Sequence, residues 1–197
     1  VGTIMTIDRV MAEIEKDVPF YEQSGGGVTL SGGEPLLQPD FARLILASCK
    51  HEGIHTAIDT CGFVAWEKLK IVCEHADLIL YDLKLMDEET HRKYTGVSNG
   101  IILTNLENLS RLGHTIVIRL PVIPGMNDDD ENIQRIGSFV ASLDQKHSIE
   151  LLPYHELGIH KYHRFFKTNS VSDVRPPSRE RMSEIKNMLI SFGLTVT

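Results

Sequence analysis

From residue 25 to residue 37 the chain reads Gly25-Gly26-Gly27-Val28-Thr29-Leu30-Ser31-Gly32-Gly33-Glu34-Pro35-Leu36-Leu37. The order is turn, strand, turn, helix entry. Val28, Thr29 and Leu30 form a short β-prone run of the kind that makes a fully buried parallel strand. Ser31-Gly32-Gly33-Glu34 then falls where that strand's C-terminal end should be. Two adjacent glycines let the main chain take positive φ and approach a ligand with no Cβ in the way. Their N–H and C=O groups suit a zwitterion, and the Glu34 carboxylate suits a cation. A tight βα turn without a ligand fits the same spacing, so the rest of the chain has to decide.

Working outward, helix and strand patterns alternate. Thr6 caps a helix expected from Ile7 to Phe20, with Val10, Met11, Ile14 and Val18 on one face. Gln38-Pro39-Asp40 opens a helix with Phe41, Leu44, Ile45 and Ala47-Ser48 inward, ending near Gly53. Strands are expected at Ile54–Asp59, Asp77–Lys84, Thr115–Leu120 and Ser148–Leu152, the fourth stopped at Pro121. Helices fall at Trp66–His75, Asp87–Tyr94 and Leu103–Leu112, and another runs from the Asp128-Asp129-Asp130 triplet to Leu143. Acidic residues at that start suit the helix macrodipole. Pro176-Pro177-Ser178 caps a last helix to Phe192, and Leu194–Thr197 adds an edge strand. Alternation of this kind means a parallel sheet with right-handed crossovers. No G-x-G-x-x-G follows a strand and no Gly-Lys-Ser/Thr occurs, so dinucleotide and nucleoside-triphosphate loops are excluded. A barrel or partial barrel with polar groups at its strand ends is the better reading.

Bulk properties narrow the function classes. A chain of 197 residues supports one well-buried domain, or most of a larger one. A formal net charge of −7 argues against nucleic acid as a partner. No apolar run approaches the roughly 18–20 residues a membrane helix needs, and no leader pattern opens the chain. A cytoplasmic protein with no membrane or nucleic-acid partner is therefore expected. Cys49, Cys61 and Cys73 lie at equal spacings that match neither a zinc nor a ferredoxin pattern. Cys49 and Cys73 sit among apolar residues and read as core.

The polar strand ends form a constellation. The first strand contributes Ser31, Gly32, Gly33 and Glu34, and the second Asp59 and Thr60. The third contributes Asp82 and Lys84, the fourth Arg119, and the fifth His155. Lys84 and Arg119 suit a carboxylate, Glu34 and Asp82 an ammonium or metal cation, and His155 a ribose or adenine. Asp59 and Asp82 lack a neighbouring nucleophile or water-activating histidine, which favours binding over acid/base chemistry. His155, His160 and His163 lie in an irregular stretch rather than on one helix face, which disfavours zinc.

An ordered set of motifs carries a resemblance. It comprises Ser31-Gly32-Gly33-Glu34-Pro35, Gly53-Ile54-His55-Thr56, Asp59-Thr60-Cys61-Gly62 and Asp82-Leu83-Lys84. Arg119 with Pro124-Gly125, Asp128 to Asp130, and the run from Leu151 to Gly158 complete it. With these the chain resembles the activating enzymes of glycyl-radical enzymes, of the pyruvate formate-lyase activating type, in the radical S-adenosylmethionine superfamily. The resemblance spans about Met5 to the C-terminus and implies a partial (β/α)6 TIM-type barrel of parallel strands forming a single domain over residues 1–197.

It also implies S-adenosyl-L-methionine as cofactor. Gly32, Gly33 and Glu34 would meet its amino group, with Ser31 beside them in the cofactor site, and Lys84 its carboxylate. Asp59, Thr60 and Asp82 would surround the methionine end, where related activases hold a monovalent cation. Arg119, His155 and Leu157 would line the ribose and adenine side. The implied chemistry is reductive cleavage to a 5′-deoxyadenosyl radical, which takes hydrogen from a glycine of a formate acetyltransferase-like partner, with a flavodoxin or ferredoxin-type electron donor.

One departure matters. The family's cysteine loop, C-x₃-C-x₂-C, which holds a [4Fe–4S] cluster after the first barrel strand, has no match in these residues. The expectation is a fragment of a longer protein, with first strand and cluster loop absent, that alone neither binds a cluster nor cleaves S-adenosylmethionine. Three other readings remain: a radical enzyme with a small substrate, a non-catalytic S-adenosylmethionine-binding or docking module for a glycyl-radical enzyme, and an unrelated barrel using Asp59, Asp82 and His155 in acid/base catalysis.

Overall fold

The computed structural model describes residues 3–155 and 175–197. Six strands form one sheet in the order β1 (Gly27–Leu30), β2 (His55–Thr60), β3 (Leu78–Asp82), β4 (Ile116–Val122), β5 (Ser148–Pro153), β6 (Thr195–Val196). The β1–β2, β2–β3 and β5–β6 pairings are parallel, with Leu30 opposite Ile58 and Asp59 opposite Leu80. The helices between them are α3 (Pro39–His51), α4 (Trp66–Cys73), α5 (Glu88–Thr95), α6 (Gly100–Arg111) and α7 (Asp130–Ala141). The last helix, α8 (Arg179–Ser191), precedes β6. This is the expected α/β order of a partial TIM-type barrel.

Before β1 the expected single helix is broken. It runs as α1 (Ile7–Ile14), a 3₁₀ turn over Glu15–Asp17, and α2 (Val18–Ser24), with Thr6 as the N-cap of α1. Pro19 is the cause: it lacks the N–H that would bond to Glu15, and its ring crowds that carbonyl. Proline is tolerated in a first helical turn, so the helix restarts there.

The chain divides into two compact units, Val1–Tyr81 with Ile101–Val117, and Asp82–Gly100 with Ile118–Thr197. In the first, Met11, Ile45, Cys49 and Ile54 form a buried cluster covered by Ile7, Val10, Ile14, Val18, Val28 and Phe41. The buried stripe of α3 is Ala42, Ile45, Leu46 and Cys49, at helical spacing. Leu44 lies off that stripe and is exposed, contrary to the inward face read for it. Asp77 joins the start of β3 to β2. Its Oδ2 accepts the Thr56 N–H at 2.9 Å and lies 3.0 Å from the Thr56 hydroxyl.

In the second unit, Ile118, Leu120, Val122, Ile133, Ile136, Ile149, Ile185 and Leu189 are buried. Strand β4 does not stop at Pro121 but continues to Val122. Successive residues point their amides to opposite neighbours: the Arg119 carbonyl accepts from the Leu83 N–H, and the Val122 carbonyl from the Tyr154 N–H. Pro121 therefore points to the Leu83 side, beyond the end of β3 at Asp82. Its missing N–H interrupts no ladder, and its carbonyl accepts from Asn127 Nδ2 at 2.6 Å.

Candidate functional site

In the first unit the site is built on the ends of β1 and β2. Ser31, Gly32 and Gly33 are exposed, and a Cβ added at either glycine would meet nothing within 4 Å. Gly32 has φ of +130°, a conformation other residues rarely adopt. The loop thus presents bare main chain to open space. Ser31 Oγ donates to Asp59 Oδ2 at 3.0 Å, tying the loop to the penultimate residue of β2.

Glu34 is held differently from its neighbours. Its Oε1 accepts from the Leu36 N–H at 3.1 Å, capping a 3₁₀ turn over Pro35–Leu37, and from the Thr60 hydroxyl at 2.8 Å. Its Oε2 accepts from the Cys61 N–H at 3.0 Å and the Cys61 thiol at 3.1 Å. Four donors fill the four lone-pair positions of a carboxylate. Glu34 is a clamp that fixes the glycine loop to the end of β2. Thr60 Oγ1 in turn accepts from the Gly62 N–H at 3.0 Å.

The turn after β2 is fixed from below. Gly62 has φ of +68°, and a Cβ there would come within 1.8 Å of the Tyr81 hydroxyl. Tyr81 is fully buried and donates to the Ile102 carbonyl at 2.7 Å; burial pushes its phenol well above the ordinary value. Asn105 Nδ2 donates to the Gly62 and Val64 carbonyls, both at 2.8 Å. Asn105, which supports this turn, is not singled out by the sequence, and Cys61, quoted there within a motif, proves to be a partner of Glu34. The signal for Asn105 is a polar residue on the buried stripe Ile102, Asn105, Leu106, Leu109.

In the second unit, Lys84 Nζ donates to Asp82 Oδ2 at 2.8 Å, and both side chains keep over a quarter of their surface exposed. An exposed pair of this kind can open to share its ammonium and carboxylate with a zwitterion. Arg119 lies within β4, with Nε 3.4 Å from Glu150 Oε2. His155 is exposed just after β5. Leu157, like His160 and His163, lies outside the described residues. Asp129 caps α7 by accepting from the Asn132 N–H, Asp128 Oδ1 accepts from the Gly125 N–H, and Asp130 pairs with Arg181 at 2.7 Å. The acidic triplet is thus absorbed in local structure.

The cysteines do not fit an iron–sulfur cluster. Cys49 and Cys73 are fully buried; burial raises both thiols, and with the nearby Glu34 charge it pushes Cys73 up to about 12. Cys61 bonds to Glu34. Among the described residues no group of three His, Cys, Asp or Glu side chains could hold a metal ion. Nor is any described helix long and apolar enough to cross a membrane.

Residues 1–136 match the model of the radical SAM superfamily. Over 191 residues the chain is 47% identical to the trans-4-hydroxy-L-proline dehydratase activating enzyme of Clostridioides difficile, covering 95% of this chain and 63% of that one. Over 194 residues it is 40% identical to the pyruvate formate-lyase 1-activating enzyme of Escherichia coli K12, covering 98% and 79%. A crystal structure of a domain of pyruvate-formate lyase-activating enzyme from Bacteroides vulgatus superposes with a TM-score of 0.75 at 36% identity, covering 87% of this chain and 98% of that one. The chain thus spans less than two thirds of the length of the Clostridioides difficile relative.

Proposed function

The chain belongs to the radical SAM superfamily and, within it, to the glycyl-radical-enzyme activating enzymes, and from that membership we propose that it is the S-adenosylmethionine-binding core of such an activase. The observation that carries the proposal is the exposed Gly32–Gly33 main chain, clamped by Glu34, in a chain 40% identical to a pyruvate formate-lyase activase over nearly its whole length. The reading treats residues 1–197 as one partial-barrel domain of a cytoplasmic protein.

In this reading Ser31, Gly32 and Gly33 receive the amino group of the methionine moiety, while Glu34 keeps their main chain in place. Lys84 receives the carboxylate. Asp59, Thr60 and Asp82 supply oxygens at the methionine end, where a monovalent cation fits their charge. Arg119 and His155 take the ribose and adenine side. When bound, S-adenosylmethionine supplies the reactive group; the chain's own residues bind it, orient it and exclude water.

The superfamily also uses a [4Fe–4S] cluster, for which this chain's cysteines offer no ligand set. These 197 residues by themselves therefore do not cleave S-adenosylmethionine. The whole protein's proposed activity is hydrogen abstraction from a glycine of a formate acetyltransferase-like enzyme, with a flavodoxin or ferredoxin-type donor.

The test is electron paramagnetic resonance on the natural protein that carries this chain, reduced anaerobically and mixed with its glycyl-radical partner. A glycyl-radical signal that requires S-adenosylmethionine supports the proposal. Binding of the partner and of S-adenosylmethionine with neither cleavage nor radical formation would instead favour a non-catalytic docking module, the reading to which the unsuitable cysteines lend weight.

A further inference from the structure

The main chain that follows β3 is held by three buried asparagines from separate places in the same unit. Asn127 Nδ2 donates to the carbonyls of Lys84 at 3.1 Å and Pro121 at 2.6 Å. Asn132 Nδ2 donates to the same Lys84 carbonyl at 3.2 Å and to the Asn127 carbonyl at 2.9 Å. Asn99 Nδ2 donates to the carbonyls of Leu85 and Met86, both at 3.0 Å. Each amide carries two protons, so every one of the six is committed.

The acceptor sides are used as well. Asn132 Oδ1 accepts from the Met86 N–H at 2.9 Å, and Asn127 Oδ1 from the Ile123 N–H at 2.8 Å. Leu83 and Leu85 are buried on either side of Lys84, whose side chain points the other way and is partly exposed. Two side chains therefore converge on one carbonyl, that of the residue assigned to the ligand's carboxylate. Satisfying an ordinary loop needs only one donor there. Unpaired buried amides are costly, so these asparagines lock the segment into a single conformation.

We propose that Asn127 and Asn132 are positioning residues for Lys84: they fix the main chain from which its side chain reaches the carboxylate of S-adenosylmethionine. The inference rests on the assignment of Lys84 to that carboxylate. Ordering that main chain during folding removes an entropic cost from binding.

The test is calorimetric titration of the natural protein carrying this chain, reconstituted anaerobically, with S-adenosylmethionine and with decarboxylated S-adenosylmethionine. Lys84→Ala should weaken binding of the first ligand by about tenfold, the worth of one charge-assisted bond, and leave the second nearly unchanged. Asn132→Ala should reproduce part of that loss, also confined to the ligand with the carboxylate, and should add nothing in the Lys84→Ala background. Asn132→Asp, which keeps the acceptor for Met86 but removes both donors, should behave likewise.

Equal losses for both ligands in the Asn132 variants would overturn the positioning role. A Lys84→Ala protein that does not distinguish the ligands would instead refute the Lys84 assignment. Should the asparagine variants not fold, amide exchange in the wild type decides. Slow exchange at Leu83 and Met86 without ligand is expected, and exchange that becomes slow only on ligand binding would overturn preorganisation.

Discussion

The Thr60 hydroxyl donates a 2.8 Å hydrogen bond to Glu34 Oε1 across 26 residues of sequence, joining the end of β2 to the loop after β1. Thr60 is almost fully buried, and its oxygen also accepts the Gly62 N–H. Thr60→Val keeps the shape and removes both bonds. It should cost about 2 kcal/mol, most of it from the stranded Gly62 N–H. The same change should weaken S-adenosylmethionine binding, because Glu34 then holds the glycine loop less firmly. Urea denaturation and calorimetry check the two effects; unchanged stability would show that the bond is incidental.

Gly62→Ala meets two obstacles at once, a positive φ and the Tyr81 hydroxyl 1.8 Å from the new Cβ. Tyr81 cannot move aside without giving up its bond to Ile102. A loss of more than about 3 kcal/mol is expected, combining backbone strain with overpacking. A melting temperature within a few degrees of wild type would contradict the packing described.

Asp77 makes folding stability depend on pH in a defined window. Its burial raises the pKa, but the hydrogen bonds from Thr56 outweigh it, with help from the charges of Lys50 and His55, so the folded value is lowered. A lowered folded value means the contribution is complete above the unfolded carboxylate range of about 4 and is lost as pH falls through the folded value. Partial exposure screens its size. Asp77→Asn should therefore narrow the stability gap between pH 7 and pH 3. Equal gaps in both proteins, measured by urea midpoints, would refute it.

Thiol chemistry separates the cysteines. The thiolate is the reactive form, and burial denies it to Cys49 and Cys73. At pH 8 Cys49 and Cys73 should resist labelling in the native 197-residue chain, and all three cysteines should label after denaturation. Reconstitution of the same chain with iron and sulfide should leave no cluster absorption. Two fast native thiols, or a stable cluster, would contradict the account.

The sequence makes the strand order and much of the candidate site legible because both depend on local signals. Val28–Leu30, followed by two glycines, marks a strand and a bare turn within seven residues. Asp82 and Lys84, read in the sequence as contacts for a cation and for a carboxylate, pair with each other although only two positions apart. What else escapes is non-local. Glu34 reads as a free carboxylate until folding brings Thr60 and Cys61 to it. Pro121 reads as a strand breaker because nothing local reveals that its missing N–H lies beyond the end of β3. Asn127 and Asn132 look like loop and helix-face polar residues until their carbonyl partners, Lys84 in particular, arrive from more than forty positions away. Pro19 is the exception: its effect on the first helix is local and readable from its position.

The most direct test of the central claim is amide hydrogen exchange on the natural protein carrying this chain, reconstituted anaerobically, with and without S-adenosylmethionine. The amides of Ser31, Gly32 and Gly33 belong to exposed residues and should exchange rapidly in the free protein. They should slow markedly when the ligand covers them. Ligand binding that leaves those amides exchanging at their free rate would contradict the account, because the glycine loop would then not be where S-adenosylmethionine sits.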